Sequence, residues 1–349
     1  DAPGTEQDWR LSEREKLWIR TVGDFALDVY KASNIYDQYL DDDDDGTNSS
    51  HQEVTFFDVG KGSSVLFEGP EQNILVDAGS SAGVTQDNYV QEVESELDDG
   101  DGEQVLHHVI VSHNDTDHLG YVDDLMDSEN IEVKNLYFNG IKKGNGAETD
   151  VDNSFDRTET NSYIISDLGA SRQIVDSGPS VTINRPDTAQ IDNVSTTDSN
   201  ANSLMTRVEY GDQTFLMLGD IPAPVEQRVV SESNVDLTEV DVLQAQHHAT
   251  QEEEDGVFSA SFTHRLASDA TVVIQNLNSD SRPEFHPNCQ ALRNMVGEID
   301  GVYWTAEHGQ LKFRVSSENG MIERPSQEAE APNALLPKVN NGEGGCATG

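Results

Sequence analysis

Six consecutive residues, His113-Asn114-Asp115-Thr116-Asp117-His118, carry the chemistry that stands out in this sequence. Four of the six are metal-ligating types, in an H-x-D-x-D-H run. The run follows an apolar stretch, Val105 to Val111, and precedes Leu119-Gly120. Imidazoles and carboxylates at this density on one short loop are what a pair of divalent cations needs. A plain polar loop in an Asp-rich chain would account for the aspartates, but not for two histidines at the ends of a strand-to-helix turn. Two further segments have the same context, each just past an apolar strand: Gly219-Asp220 after 214–218, and His247-His248 after Val240 to Ala245. Ligands that follow strands can gather at one rim of a sheet.

The elements that must position these groups are legible from periodicity. Residues 8–40 read as a helical lead-in, and Asp41 to Asp45 with Gly46-Thr47-Asn48-Ser49-Ser50 as a solvated linker. From His51 the texture becomes short apolar strands at 54–57, 64–67 and 73–76, separated by Gly-containing turns in the manner of a β-meander. A helix is expected over 87–98, a strand over 105–111, a short helix after Gly120 and another over 156–169. Strands at 204–209 and 214–218, a helix at 223–231 and a strand at 240–245 follow. The closing units are a strand at 271–275, a helix at 287–298 and strands at 302–305 and 310–315. The domain plan is therefore a lead-in and acidic linker (1–50), a main α/β domain (51–317) and a flexible acidic tail (318–349), which is rich in Glu, Pro, Asn and Gly.

Composition bounds the setting. With 349 residues a sizeable core can be buried. The formal net charge is −45, from 66 acidic and 21 basic residues spread along the whole chain. Such a charge repels itself in dilute solution and opposes compaction, but in about 1 M salt the Debye length falls to roughly 3 Å. That pattern is expected of a protein from an extreme halophile. No apolar run is long enough to cross a bilayer. The start at Asp1 rather than Met, the scarcity of lysine and the lead-in suit a trimmed, exported protein; a salt-filled cytosol is the alternative. Cys289 and Cys346 are candidates to pair and tie down the tail, although two distant cysteines say little by themselves.

Seven motifs, in order, resemble the metallo-β-lactamase superfamily, and within it the C-terminal hydrolase domain of the DNA-uptake competence proteins (ComEC type). They are Phe57-Asp58-Val59-Gly60-Lys61-Gly62, Ile74-Leu75-Val76-Asp77-Ala78-Gly79, Ser112 to His118, Asn200-Ala201-Asn202-Ser203-Leu204, Leu218-Gly219-Asp220-Ile221, His247-His248 and Phe285-His286-Pro287. The likeness covers about residues 51–316. It implies an α/β chain folded as a four-layer αββα metallo-β-lactamase sandwich holding one or two divalent ions, Zn or Mn and conceivably Mg.

Carried over residue by residue, it implies that Asp117, His118, Asp220 and His247 hold one metal, with Asp220 bridging to a second held by His113 and Asp115. Asp77 would be a carboxylate behind a ligand, orienting it. The family pattern favours His247 over His248 as ligand, leaving His248 to face the substrate. Many members carry a His before the strand leading to Gly219-Asp220; here the region reads Asp198-Ser199-Asn200-Ala201-Asn202, so the second site is oxygen-rich or incomplete, closed by Asn200 or water, with Asn200 and Asn202 counted beside Asp77 as groups behind the ligands. The turn Gly60-Lys61-Gly62-Ser63 lacks the Gln and Asp usual in the competence-type branch.

Three carboxylates against two divalent ions leave the cluster at +1, which suits phosphoester hydrolysis. Asp117 lies at the reacting centre, and His248 or His286 could steady the phosphoryl oxygens or protonate the leaving alkoxide. The function expected is a metal-dependent nuclease or phosphodiesterase with DNA as its partner. The net charge objects, and candidate cations are few: Lys142, Lys143, Arg157 and Arg207. A hydrolase of a small ester, lactone, β-lactam or phosphoester is the alternative on the same fold, and a non-catalytic binding module the third.

Overall fold

The computed structural model describes residues 51–97, 104–141, 159–175, 178–231, 237–250, 257–267, 269–277, 287–299, 301–316, 322–339 and 346. The helical lead-in, the linker, His286 and the cations Lys142, Lys143 and Arg157 lie outside the described residues.

Strands β1 (His51–Phe56), β2 (Gly60–Glu68) and β3 (Ile74–Gly83) form an antiparallel meander, as Gly-separated apolar runs require. After α1 (Gln86–Leu97) come β4 (Gln104–Leu106) and β5 (His108–Val111). The single strand expected over 105–111 is thus broken at His107, whose Nδ1 accepts from the Asn73 backbone N–H at 3.0 Å. Helices α2 (Thr116–Leu119) and α3 (Val122–Asp127) precede β6 (Ile131–Val133), which pairs with β4 alone.

Next come β7 (Asn135–Phe138), β8 (Asn161–Ile164), β9 (Ser171–Gln173) and β10 (Ser180–Asn184). β8 replaces the helix expected over 156–169. Its reason is non-local: it pairs in parallel with β7, and Tyr163 stacks on Tyr137 at 4.9 Å with Arg172 over both rings. The chain continues through β11 (Met205–Tyr210), β12 (Gln213–Met217), α4 (Ala223–Ser231) and β13 (Val242–Gln244). It then forms α5 (Ala260–Thr263), β14 (Thr271–Ile274), α6 (Cys289–Met295) and β15 (Gly301–Trp304). α7 (Thr305–His308), β16 (Leu311–Ser316), β17 (Ile322–Glu323) and α8 (Pro332–Leu335) complete it.

Among the described residues the strands form two large mixed sheets, ordered β17-β16-β1-β2-β3-β5-β7-β8 and β15-β14-β13-β12-β11-β10-β9. Three apolar cores separate four layers. Between the sheets lie Val54, Phe67 and Phe313 from one side and Phe215, Val242 and Tyr303 from the other, with the Phe67 and Phe215 rings edge to face at 5.5 Å. Tyr89, Val93, Val122 and Leu125 cover the outer face of the first sheet against Leu75 and Val109. Val225, Phe262, Leu292 and Leu335 cover the second against Leu243 and Val272. This is the expected αββα sandwich.

The expected flexible tail is instead packed where it is described. Leu335, Leu336 and Val339 are buried in the second outer core, and Cys346 is joined to Cys289 of α6 by a disulfide. The acidic composition of the tail had concealed these few apolar anchors. Among the described residues no helix is long and apolar enough to cross a membrane.

Candidate metal centre

The loop Ser112 to His118 leaves β5 at the sheet rim and is held from behind by two residues of β3. The first is Asp77, fully buried and in the left-handed region at φ 58°. Its Oδ1 accepts from the Ser112 backbone N–H at 2.7 Å. Its Oδ2 accepts from Ser112 Oγ at 2.9 Å, Ser63 Oγ at 3.0 Å and His118 Nδ1 at 2.7 Å. A non-glycine residue at positive φ costs on the order of 1–3 kcal/mol and persists only when its surroundings over-determine it; four hydrogen bonds do so here. The second is Gly79: a Cβ there would lie 2.5 Å from both His118 N and Thr116 O, so the ligand loop rests directly on its backbone.

Asp220 arrives by a similar device. It follows β12 after Gly219, whose φ is +59° and whose Cβ would meet Ser203 Cβ at 2.7 Å and Ser112 Cβ at 2.9 Å. Ser203 Oγ accepts from the Asp220 backbone N–H at 3.1 Å. His247, His248 and Ala249, past β13, are three consecutive non-glycine residues at positive φ (49°, 54° and 56°). Their carbonyls are all bound: His247 O by Thr250, His248 O by Asn276 Nδ2 at 3.0 Å and Ala249 O by the Asn288 N–H at 2.7 Å. Gln246 anchors the turn on the buried carboxyl of Glu226.

The histidines are held from behind. His118 Nδ1 donates to Asp77, and His248 Nδ1 donates to the Gln275 carbonyl at 3.0 Å, so each turns its Nε2 inward. Those two Nε2 atoms lie 3.2 Å apart. His118 Nε2 is 3.0 Å from Asp220 Oδ1, His248 Nε2 is 3.5 Å from Asp117 Oδ2, and His113 and His247 Nε2 stand 3.8 and 3.7 Å from Asp220 Oδ2. His113 Nε2 is also 3.9 Å from Asp115 Oδ2. His113 Nε2 makes no hydrogen bond, and Asp220 Oδ1 faces His118 Nε2 at 3.0 Å. A buried lone pair left without a donor is costly, and here it points toward other ligand atoms. A divalent cation bound there would satisfy it. Two overlapping groups fit one: His113, His118 and Asp220, and Asp117, His118 and His248.

The electrostatics follow from burial and mutual proximity. Burial pushes the His113 imidazolium down to about 3, so this ring is neutral, as a metal ligand must be. Burial alone would raise the Asp117 and Asp220 carboxyls; the surrounding imidazoles outweigh it and hold both below the usual carboxylate range. Burial also opposes charge on His118, but Asp220 and Asp77 more than offset it and raise that ring well above the ordinary histidine value. The buried cluster therefore attracts positive charge.

The structure brings His113, Asp115, Asp117, His118, Asp220, His247 and His248 to one rim, with Asp77 behind them. His248, expected to face substrate, has its Nε2 in the cluster. His247, expected as the ligand, has its Nε2 3.7 Å from Asp220 Oδ2, the same distance as His248 Nε2. Asn202 is buried but turned to structural work: its Oδ1 accepts from Thr188 and Arg185, and its Nδ2 donates to the Asp198 and Ser195 carbonyls. Asn200 supplies its carbonyl to Ser203 Oγ, the group that holds Asp220. Arg207, named as a candidate nucleic-acid contact, is paired with Glu209 and lies near Glu239.

Several participants were not anticipated from the sequence. Ser63 and Ser112 bind Asp77, Gln275 and Asn276 hold His248, and Gln244 joins Ser63 to Gln275. Gln275 and Asn276 lie just past β14, so the strand-end rule that flagged His247 and His248 would have flagged them too. Lys61, first read only as a departure from a motif, contacts Asp117 Oδ2 directly.

The model of the metallo-β-lactamase superfamily matches residues 57–135, which include β2, β3, β5 and the whole H-x-D-x-D-H loop. The fold is that of the metallo-β-lactamase superfamily. Among solved structures, Tm1679, a metal-dependent hydrolase of the β-lactamase superfamily, is similar at 14% identity over 76% of this chain and 99% of its own, with a TM-score of 0.48. The metallo-β-lactamase fold protein YhfI from Bacillus subtilis is similar at 14% identity over 78% and 99%, with a TM-score of 0.45. A diphosphatase of the PhnP family is similar at 10% identity over 80% and 100%, with a TM-score of 0.40. At such values the assignment stands on the matched segment and the layered architecture. No curated protein matches the chain.

Proposed function

We propose that this metallo-β-lactamase-fold chain is a metal-dependent hydrolase of phosphodiester bonds, with DNA as substrate. The observation that carries the metal dependence is the 3.2 Å approach of the two inward Nε2 atoms of His118 and His248 beside the buried Asp220 carboxylate and the unbonded His113 Nε2. His118, His248, Asp117, Asp220 and His113 are the residues we assign to the metal, with Asp115 at the more exposed edge. A divalent ion held there would supply Lewis-acid polarisation of a phosphoryl oxygen and would lower the pKa of a bound water molecule.

The chain's own residues do the rest. Asp77 and the Gln275 carbonyl hold the two rings by their Nδ1 atoms and orient both Nε2 atoms inward, where a bound metal would take the place of the proton that Asp220 favours on His118. The left-handed turn at His247 to Ala249 places His247 beside Asp220 as well, where its Nε2 can hold a proton or donate to a substrate oxygen. The carboxylate-rich ligand set suits the harder ions Mn²⁺ or Mg²⁺ as well as Zn²⁺. DNA as the phosphodiester rests on the motif resemblance, and the net charge of −45 weighs against it. Screening in concentrated salt reduces that repulsion and also removes the counterion-release gain, so binding would rest on metal–phosphate contacts.

The test is DNA cleavage in molar KCl by chelated protein to which Mn²⁺, Mg²⁺ or Zn²⁺ is restored, with Asp117→Ala and His248→Ala alongside. Metal-restored cleavage by the wild type, lost in both variants, is expected. A folded, metal-loaded protein that leaves DNA intact would rule out this substrate and turn the search to small esters, lactones and phosphoesters.

A further inference from the structure

Lys61 stands where the competence-type resemblance leads one to expect a neutral Gln. It is fixed there by backbone packing. A Cβ on Gly60 would lie 2.1 Å from Ala82 O, and one on Gly62 would lie 2.1 Å from Gly79 O, so β2 lies hard against β3 on both sides of Lys61. Gly79 in turn supports the backbone of Thr116 to His118. Lys61 and Asp117 thus belong to one rigid block. The Lys61 side chain is only 17% exposed and its ammonium contacts Asp117 Oδ2. That same oxygen faces His248 Nε2 and belongs to the group Asp117–His118–His248. In the other group, His113–His118–Asp220, the Lys61 charge acts on Asp220 only through space, whereas it is hydrogen-bonded to Asp117.

We propose that the Lys61 ammonium is a built-in cation of the centre, occupying through Asp117 the place of a second metal ion. The centre then binds one divalent ion tightly, on the His113–His118–Asp220 side, and a second, left with Asp117 and His248 because His118 has one inward lone pair, only weakly. A second ion at Asp117 must displace the ammonium or sit a few ångströms from it, and like charges that close in a buried site repel strongly. This inference rests on the metal-binding reading above.

The experiment is a titration of the chelated full chain with Mn²⁺, following free Mn²⁺ by its paramagnetic resonance signal, for wild type, Lys61→Met and Lys61→Arg. Met keeps the length and removes the charge; Arg keeps the charge and controls for altered packing. Wild type should bind one Mn²⁺ tightly and a second weakly. Lys61→Met should tighten the second constant by at least about tenfold, leaving the first unchanged, because a unit charge beside a divalent ion is removed. Lys61→Arg should keep the wild-type pattern. A second constant unchanged or weakened in Lys61→Met, or two equally tight ions in the wild type, overturns the proposal while leaving the metal reading intact. Absence of Mn²⁺ binding in all three folded proteins overturns the metal reading and this inference with it.

Discussion

Among the described residues, two clusters of acids meet the distance requirement for a metal, and they differ in what already fills them. At the rim, Asp117 and Asp220 face imidazoles whose outer nitrogens are committed to Asp77 and Gln275, with both Nε2 atoms turned inward and His113 Nε2 left without a hydrogen bond. On the outer face of the first sheet, Glu53, Glu68 and Glu96 also lie within ligand distance of one another. There, however, Lys312 reaches both Glu53, at 2.8 Å, and Glu96, and Arg314 reaches Glu53 at 2.9 Å. The protein supplies its own cations to the glutamates. In a chain this acidic, carboxylate density alone marks nothing; a site is marked by buried lone pairs held in place and left unsatisfied.

That contrast can be broken at several points. The largest effect should come from Asp77→Asn, which weakens the acceptor that fixes the His118 tautomer and binds Ser63 and Ser112. Loss of a partner behind a metal ligand typically lowers metal affinity or activity about 10–100-fold. A calorimetric metal titration showing wild-type affinity would remove Asp77 from the account. Gly79→Ala should come next. Its Cβ must push aside the backbone of the ligand loop, at a cost of about 1–3 kcal/mol for an overpacked site, seen as a lower urea midpoint together with weaker metal binding. A destabilised protein with unchanged metal affinity would show that the loop does not depend on this contact.

The smallest effect concerns the glutamates. Burial, with the charges of Glu96 and Glu53, pushes the Glu68 carboxyl up to about 8 from an ordinary 4.5. Because the folded-state value is the higher one, the stability linked to this proton is fully present below pH 4.5 and is lost as pH rises toward 8. Glu68→Gln should therefore match the wild type at pH 4 and exceed it by about 1–2 kcal/mol near pH 8–9. Equal stability of the two proteins at high pH would mean that the triad is not strained by its own charge. Neither protein should take up Mn²⁺ at this cluster.

The sandwich was legible where chemistry is local. The meander through 54–76, the helix over 87–98 and the strands before each ligand loop follow from alternation and glycine placement, and β1 to β3, α1, β5, β12 and β13 occupy those places. The edge strand Asn161–Ile164 was not, because its stability comes from pairing with β7 and from the Tyr163–Tyr137 stack, neither of which a local pattern records. The buried anchors of the tail, Leu335, Leu336 and Val339, were hidden by the acids around them.

At the centre, residue types and strand ends pointed to the side chains that gather at the rim but not to what orients His247 and His248, both of which stand 3.7 Å from Asp220 Oδ2. Their orientation is set by a left-handed backbone and by Gln275 and Asn276, some 28 residues downstream. Lys61 was invisible as a participant for the same reason: only the packing of β2 on β3 and of Gly79 on the ligand loop brings it to Asp117.

The central claim is that the inward Nε2 atoms of His118 and His248 exist to hold a metal. Its most direct test is the metal content of wild type and His118→Ala, each loaded with Zn²⁺ or Mn²⁺, desalted and measured by elemental analysis. The account predicts at least one tightly retained ion per wild-type chain and its loss in a folded His118→Ala. A folded wild type that retains none, or a variant that retains as much as the wild type, would contradict it.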